Sequence, residues 1–165
     1  MPEKQTVERA NRAKQKGKSS TTQAGEFVRE EIHHVREGRH GARSTKQAIA
    51  IGLSKARRAG VDLPPPEPGT VSEKTRRSAK RAYEKGQKGT RKTSPRRARS
   101  AEGALKREGR AAASRKALSR QAHAAAAKRS RTHRSASAQR AARTKGKRGR
   151  SAAARKAART RARRR

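Results

Sequence analysis

The chain has 165 residues, with 49 Lys and Arg against 12 Asp and Glu, a formal net charge of +37. Its 47 hydrophobic residues include 32 alanines, which leaves 15 larger apolar side chains, among them one Phe, one Tyr and no Trp. Without cysteine there is neither a disulfide framework nor a cysteine-based zinc site. No stretch approaches the ~18 apolar residues of a membrane span, and no apolar run follows Met1-Pro2-Glu3-Lys4-Gln5 that could act as a signal peptide. A cytoplasmic protein with no membrane partner is expected.

Ordering a residue's backbone costs about 1–2 kcal/mol, and fifteen large apolar side chains are few to set against that. The expected fold class is mainly α with extensive disorder: a short antiparallel helical hairpin, then a basic, conditionally helical, low-complexity tail. Charge and apolar bulk run in opposite directions. Residues 1–66 hold 14 cations and 7 acids, 67–108 hold 14 and 5, and 109–165 hold 21 and none. Met1, Val7, Phe27, Val28, Ile32, Val35, Ile49, Ile51, Leu53, Val61 and Leu63 precede residue 67, whereas Leu118 stands alone after 108.

In chain order, residues 1–19 are polar and basic and read as a disordered arm. Residues 20–63 read as the hairpin. Ser20 and Gln23 have capping-box spacing, Ala24, Phe27, Val28, Ile32 and Val35 fall on one helical stripe, and Gly38 suits a C-cap. Glu26, Glu30 and Glu31 take the polar face. Ser44 and Gln47 repeat the capping spacing; Ile49, Leu53 and Ala56 form the next apolar line. Gly60 fits the position after the helix, with Val61 folding back on Ala56. The predicted hairpin core is Phe27, Val28, Ile32, Val35, Ile49 and Leu53. So thin a core suits completion by a second copy or a protein partner bound through 20–63. Gly52, inside the second helix, points to a close helix–helix contact.

Residues 64–70, with Pro64-Pro65-Pro66-Glu67-Pro68-Gly69, read as a stiff linker. Residues 71–86 read as a basic helix opened by Thr70 and Glu73, and 87–100 as a flexible basic linker. Residues 101–165 reduce almost to Ala, Arg, Lys and Ser. Ala, Arg and Lys favour helix but repel one another when charged, so short helices are expected to form on phosphate, near 111–129, 135–144 and 151–164, with breaks at Gly146 and Gly149.

The predicted nucleic-acid-binding cations are Arg110, Arg115, Lys116, Arg120, Lys128, Arg129, Arg131, Arg134, Arg140, Arg143, Lys145, Lys147, Arg148, Arg150, Arg155, Lys156, Arg159, Arg161, Arg163, Arg164 and Arg165. Each phosphate they neutralise releases a counterion, and engagement of about half of them gives a salt slope on the order of −9 on duplex DNA. No aromatic follows Tyr83 to stack single-stranded bases, which favours duplex over single strands. A second anion site is expected at Arg39, His40, Arg43 and Ser44, where a helix N-terminus adds backbone amides. His33, His34 and His40 invite a metal reading, but His33 and His34 are adjacent and point about 100° apart on a helix. Glu30 and Glu37 read as surface partners, so neither a metal site nor a cofactor is expected. No catalytic triad, paired catalytic carboxylates or nucleotide-binding glycine loop is visible, and an enzyme is not expected.

The run Ser44-Thr45-Lys46-Gln47-Ala48-Ile49-Ala50-Ile51-Gly52-Leu53-Ser54-Lys55-Ala56-Arg57, with Gly60 and the prolines beyond, resembles a small bacterial family of uncharacterised basic proteins carrying a K-Q-A-I-A-I-G-L-S-x-A-R signature. The likeness covers about 20–90 and implies association with DNA or the nucleoid. Residues 101–165 resemble the Ala/Lys/Arg tails of linker histones and bacterial histone-like proteins, though here the tail is Arg-rich and free of proline after Pro95. Together the residues and the resemblance predict a nucleoid-associated, histone-like protein that binds DNA without sequence preference. An RNA- or ribosome-associated factor is the alternative, and a protein-interaction module localised by its polycationic tail is a third.

Overall fold

The structure is a computed structural model and describes residues 2–89 and 94–163. Among the described residues it contains α1 (Lys4–Gln15), α2 (Ser20–Glu37), α3 (Thr45–Arg58), α4 (Glu73–Gln87), α5 (Pro95–Lys106), a 3-10 turn (Ala111–Ala113), α6 (Arg115–Ala127), α7 (Arg131–Ala162) and no strand. The expectation of extensive disorder is overturned: 75% of the chain is helical.

Local chemistry sets the helix ends. The α2 cap is Ser19, whose Oγ accepts from the Thr22 amide at 3.4 Å, rather than Ser20; Gln23 Nε2 instead donates to Lys18 O at 2.9 Å. Gly38 closes α2 in the left-handed region at φ 79°, open to glycine without strain. Ser44 caps α3, accepting from the Gln47 amide at 3.2 Å, while Gln47 Oε1 accepts from the Arg43 amide at 2.8 Å. Past α3, the Val61 amide reaches back to Ala56 O at 3.2 Å around Gly60. The α4 cap is Ser72, two residues beyond the expected Thr70.

α2 and α3 pack antiparallel. Val35 shares one apolar cluster with Ala48, and Ala24 and Phe27 share another with Ala56. Between the clusters Gly52 meets Val28: a Cβ there would stand 2.6 Å from Val28 Cα. The face that α3 turns inward is therefore Thr45, Ala48, Gly52 and Ala56, while Ile49 and Leu53 are half-buried on its flank. Phe27 and Val35 are fully buried and Ile32 nearly so; Val28 is partly covered.

Small residues make the rest of this core. Of the thirteen buried hydrophobic residues among those described, nine are alanine. Alanine removes little area from water, yet it lets helix backbones approach until dispersion contacts become dense. That is the physical reason a count of large apolar side chains underestimates this fold. The segment read as a disordered arm shows it: it is α1, and Ala10 is buried against Ala24 and Phe27, with Val7 beside them. Arg9 Nε donates to Glu26 Oε2 at 3.0 Å across the same contact. α4 buries Ala79 and Ala82, and Gly86 meets the Arg57 carbonyl where a Cβ would overlap it. Arg57, itself buried, donates to the carbonyls of Leu63 and Pro64.

The first part of the expected tail joins this fold as well. The Gly41 amide donates to Leu105 O at 2.9 Å and the Ala42 amide to Gly109 O at 3.0 Å. Arg36 Nε donates to Ala113 O at 2.9 Å and Thr45 Oγ1 to Ala112 O at 2.7 Å. Ala112 and Ala113 are buried in the Ile32–Val35 cluster, with Leu118 against it. Residues 95–100, expected within a flexible linker, begin α5; linker residues 90–93 lie outside the described residues.

The chain divides into two units, Met1–Gln121 and Ala122–Arg165. In the second, α7 is helical on both sides of Gly146, which leaves the helix at φ 62° and ψ 178°. Gly149 stays helical. Helix here does not wait for phosphate. Ala and Arg supply intrinsic propensity, and a long segment spreads the cost of nucleation over many bonds. No helix among the described residues is long and apolar enough to cross a membrane.

Candidate functional site

The cations of the second unit share one environment. From Lys128 to Arg163 all fifteen described Lys and Arg side chains are exposed, and among the described residues none forms an ion pair with a carboxylate. No acid exists in 122–165 to provide one. Lys147, Arg148, Ser151, Ala152, Arg155, Lys156 and Arg159 line a continuous open surface of α7. Residues four apart lie on one face of a helix, so Arg155 and Arg159 stand in register, with Ala152 keeping the backbone accessible between longer side chains. Such a surface can meet a row of phosphates: guanidinium groups reach outward and bind bidentately, and nothing inside the unit competes for them. Arg164 and Arg165 lie outside the described residues.

Four predicted contacts belong to the other unit. Arg110, Arg115, Lys116 and Arg120 are exposed, around the 3-10 turn and the start of α6. The Arg110 side chain lies along Gly38.

The residues expected as a second anion site are held differently. Arg39 Nη1 donates to Glu3 Oε1 at 2.7 Å, and its Nε stands 3.0 Å from Glu37 Oε2. The bond to Glu3, aided by Glu37, holds the guanidinium above its ordinary pKa. His40 Nε2 lies 3.3 Å from Glu31 Oε1, and its Nδ1 is 3.0 Å from Gly41 O. Ser44 Oγ is occupied as the α3 cap. Arg43 is exposed. Arg39 and His40 therefore each have a carboxylate partner, and the Arg39 side chain also remains half-exposed.

Glu30 and Glu31, expected on the polar face of α2, are both buried, Glu31 completely. Lys55 of α3 bridges them, with Nζ 3.3 Å from Glu30 Oε1 and 2.7 Å from Glu31 Oε2. Glu30 Oε2 also accepts from the Glu3 amide at 3.1 Å, which ties the start of α1 to α2. Glu3 in turn receives His34 Nε2 at 3.1 Å, and the bonds to His34 and Arg39 hold its carboxyl below the ordinary 4.5. The only sequence signal for this centre was Glu31-x-x-His34, a spacing that sets both on one side of α2. Burial by α3 and by the turn at His40 could not be read from it.

Residues 3–67 match the model of a family of unknown function (DUF6496). The match takes in α1, α2, α3 and most of the following proline run, which is the part of the chain that holds the buried polar centre. It stops well short of the acid-free segment. No curated protein matches the chain, and no solved structure does.

Proposed function

We propose that this protein grips duplex nucleic acid through residues 122–165, neutralising phosphates without reading bases, and that it works as a nucleoid-associated, histone-like DNA-binding protein. The carrying observation is that every described cation of that unit is exposed and free of carboxylate partners. Charge arranged so cannot be satisfied within its own unit. A polyphosphate backbone offers fixed negative charge at a spacing a helical cation stripe can follow, and counterion release supplies the free energy. If about half of the unit's 17 cations engage, the logarithm of affinity falls with the logarithm of salt at a slope on the order of −8.

The absence of any aromatic beyond Tyr83 supports duplex rather than single-stranded partners. The K-Q-A-I-A-I-G-L-S-x-A-R stretch, with its likeness to basic bacterial proteins, and the compositional likeness of the tail to linker histones point the same way. In this reading the first unit presents the cationic segment and offers its surface to a second copy or a protein partner.

The test is a salt series of the full chain against duplex DNA, single-stranded DNA and structured RNA of equal length. The expected result is steep salt dependence, sequence-independent duplex affinity and weaker single-strand binding. Tighter binding to structured RNA at matched salt would transfer the reading to an RNA- or ribosome-associated factor. Flat salt dependence on all three would remove it.

A further inference from the structure

We infer that Glu31, His34 and His40 form a binding site for one divalent transition-metal ion of the zinc class. One oxygen and one nitrogen from each ring come together here, all three ligand atoms within 4.8 Å of one another. The inference is independent of the nucleic-acid reading.

Glu31 is the reason the cluster is more than a coincidence of donors. Its side chain is 0% exposed, and neither carboxylate oxygen has a partner in hydrogen-bond geometry. Lys55 stands close to Oε2 as an ion pair, but its single charge is shared with Glu30, whose side chain is 2% exposed. Two buried carboxylates thus face one ammonium group. A buried charge left without a counter-charge is costly, and the uncompensated oxygen, Glu31 Oε1, is the one turned toward His40.

His40 is oriented to meet it. Gly41 O can only accept, so the 3.0 Å contact places a proton on Nδ1 and leaves Nε2 to face Glu31 Oε1 at 3.3 Å. A lone pair opposite a carboxylate oxygen is repulsive, so the gap takes either a second proton or a cation. His34 makes the cation the better occupant. It follows Glu31 by three residues on α2, and its ring stands edge-on to that of His40 with centroids 6.1 Å apart and planes at 87°. Two imidazoles and one carboxylate are a donor set for zinc and its neighbours, not for calcium or magnesium, which take oxygen.

Metal–ligand distances of about 2.0–2.2 Å put tetrahedral ligand atoms ~3.3 Å apart, so the cluster needs to draw in by roughly an ångström. The two histidines can do this because their side chains are 12% and 13% exposed, while Glu31 stays fixed. Gly41 O beside His40 Nδ1 is the kind of outer partner that metal-binding histidines ordinarily use; Glu3 Oε1 contacts His34 Nε2, and it serves the same role where His34 binds through Nδ1. Lys55 holds Oε2, which leaves Oε1 to bind through a single oxygen. Arg39 Nη1, 3.2 Å from His34 Nε2, bounds the site on its solvent side.

The test is equilibrium dialysis of the full chain against zinc chloride, with magnesium chloride as the comparison and cobalt(II) as a spectroscopic probe. One zinc per chain is expected, with no magnesium uptake and visible cobalt absorption of tetrahedral type. Glu31→Gln, His34→Ala and His40→Ala should each weaken zinc by at least about 10–100-fold, whereas His33→Ala, removing an exposed neighbouring imidazole, should leave it unchanged. Far-ultraviolet circular dichroism of each variant separates lost binding from lost fold; should Glu31→Gln unfold, His34→Gln carries the test, since that site is part-exposed. Absence of stoichiometric zinc uptake, or uptake indifferent to His34 and His40, would overturn the assignment and leave a protonated His40 as the counter-charge of Glu31.

Discussion

Met1–Gln121 carries 32 Lys and Arg beside all 12 acids, whereas Ala122–Arg165 carries 17 and no acid. In the first unit positive charge is part of the architecture. Arg9 joins α1 to α2, Arg39 holds Glu3, Lys55 bridges two buried glutamates, and Arg36 and Arg57 donate to backbone carbonyls. In the second the charges have no such internal use. The helices differ too: α2 and α3 exist because they bury a face against each other, while α7 buries no residue among those described and rests on propensity. High positive charge is therefore two different things in one chain, structural in one unit and available in the other.

Substitutions should expose this difference, beginning with the largest effect. Phe27→Ala removes the largest fully buried side chain and should cost about 3–5 kcal/mol, enough to unfold the first unit under mild urea when followed by circular dichroism. Helical signal from the second unit should persist at that urea concentration; simultaneous loss of both would break the comparison. Gly52→Ala gains about 1 kcal/mol of helix propensity but sets a methyl group 2.6 Å from Val28 Cα. The net result should be destabilisation of about 1–3 kcal/mol. Gly149→Ala is the counterpart in the second unit. Its added methyl group meets only Lys145 Cβ at 3.4 Å, so helix content should rise, by up to about 1 kcal/mol of propensity.

The smallest expected effect concerns pH. Glu3 titrates below its ordinary 4.5 in the folded chain because of His34 and Arg39. A depressed carboxylate contributes stability above its unfolded pKa and loses that contribution as pH falls through the folded value. Acidification below about 4.5 should therefore loosen α1 from α2, and Glu3→Gln should remove that part of the acid transition. Amide exchange along α1 measures it. Protection in the Glu3→Gln variant that tracks the parent at every pH would exclude the role.

Where the sequence was legible, local chemistry decided the outcome. Gly38, Ser44 and Gly60 mark ends that the backbone must respect whatever packs nearby, and the stripe from Ala24 to Val35 can bury only one way. Packing among small side chains was not legible. Ala10, Ala112 and Ala113 carry no sign of burial in a chain with 32 alanines, so α1 and the 105–118 segment could not be assigned to the core. Gly52 marked the close approach of α3 to α2, but Thr45 and Ala48 carried no such sign, and the inner face of α3 stayed hidden behind the bulkier Ile49 and Leu53. The same limit applied to Glu31, because its burial depends on Lys55 and His40 arriving from elsewhere in the chain. In the second unit the cation pattern is plain from sequence, but the helix of α7 is not, because charge repulsion opposes the propensity of alanine and arginine and composition alone does not show which prevails.

The most direct test compares duplex-DNA affinity against salt for the full chain and two five-site variants of equal charge loss. One replaces Lys147, Arg148, Arg155, Lys156 and Arg159 with Gln; the other replaces Lys4, Arg12, Lys14, Lys16 and Arg43, which are also exposed. The first should flatten the salt slope by up to about 4–5, near 0.9 for each lost phosphate contact, and the second should change it little. Equal flattening by both, or a larger effect from the second, would contradict the claim that the grip on phosphate resides in residues 122–165.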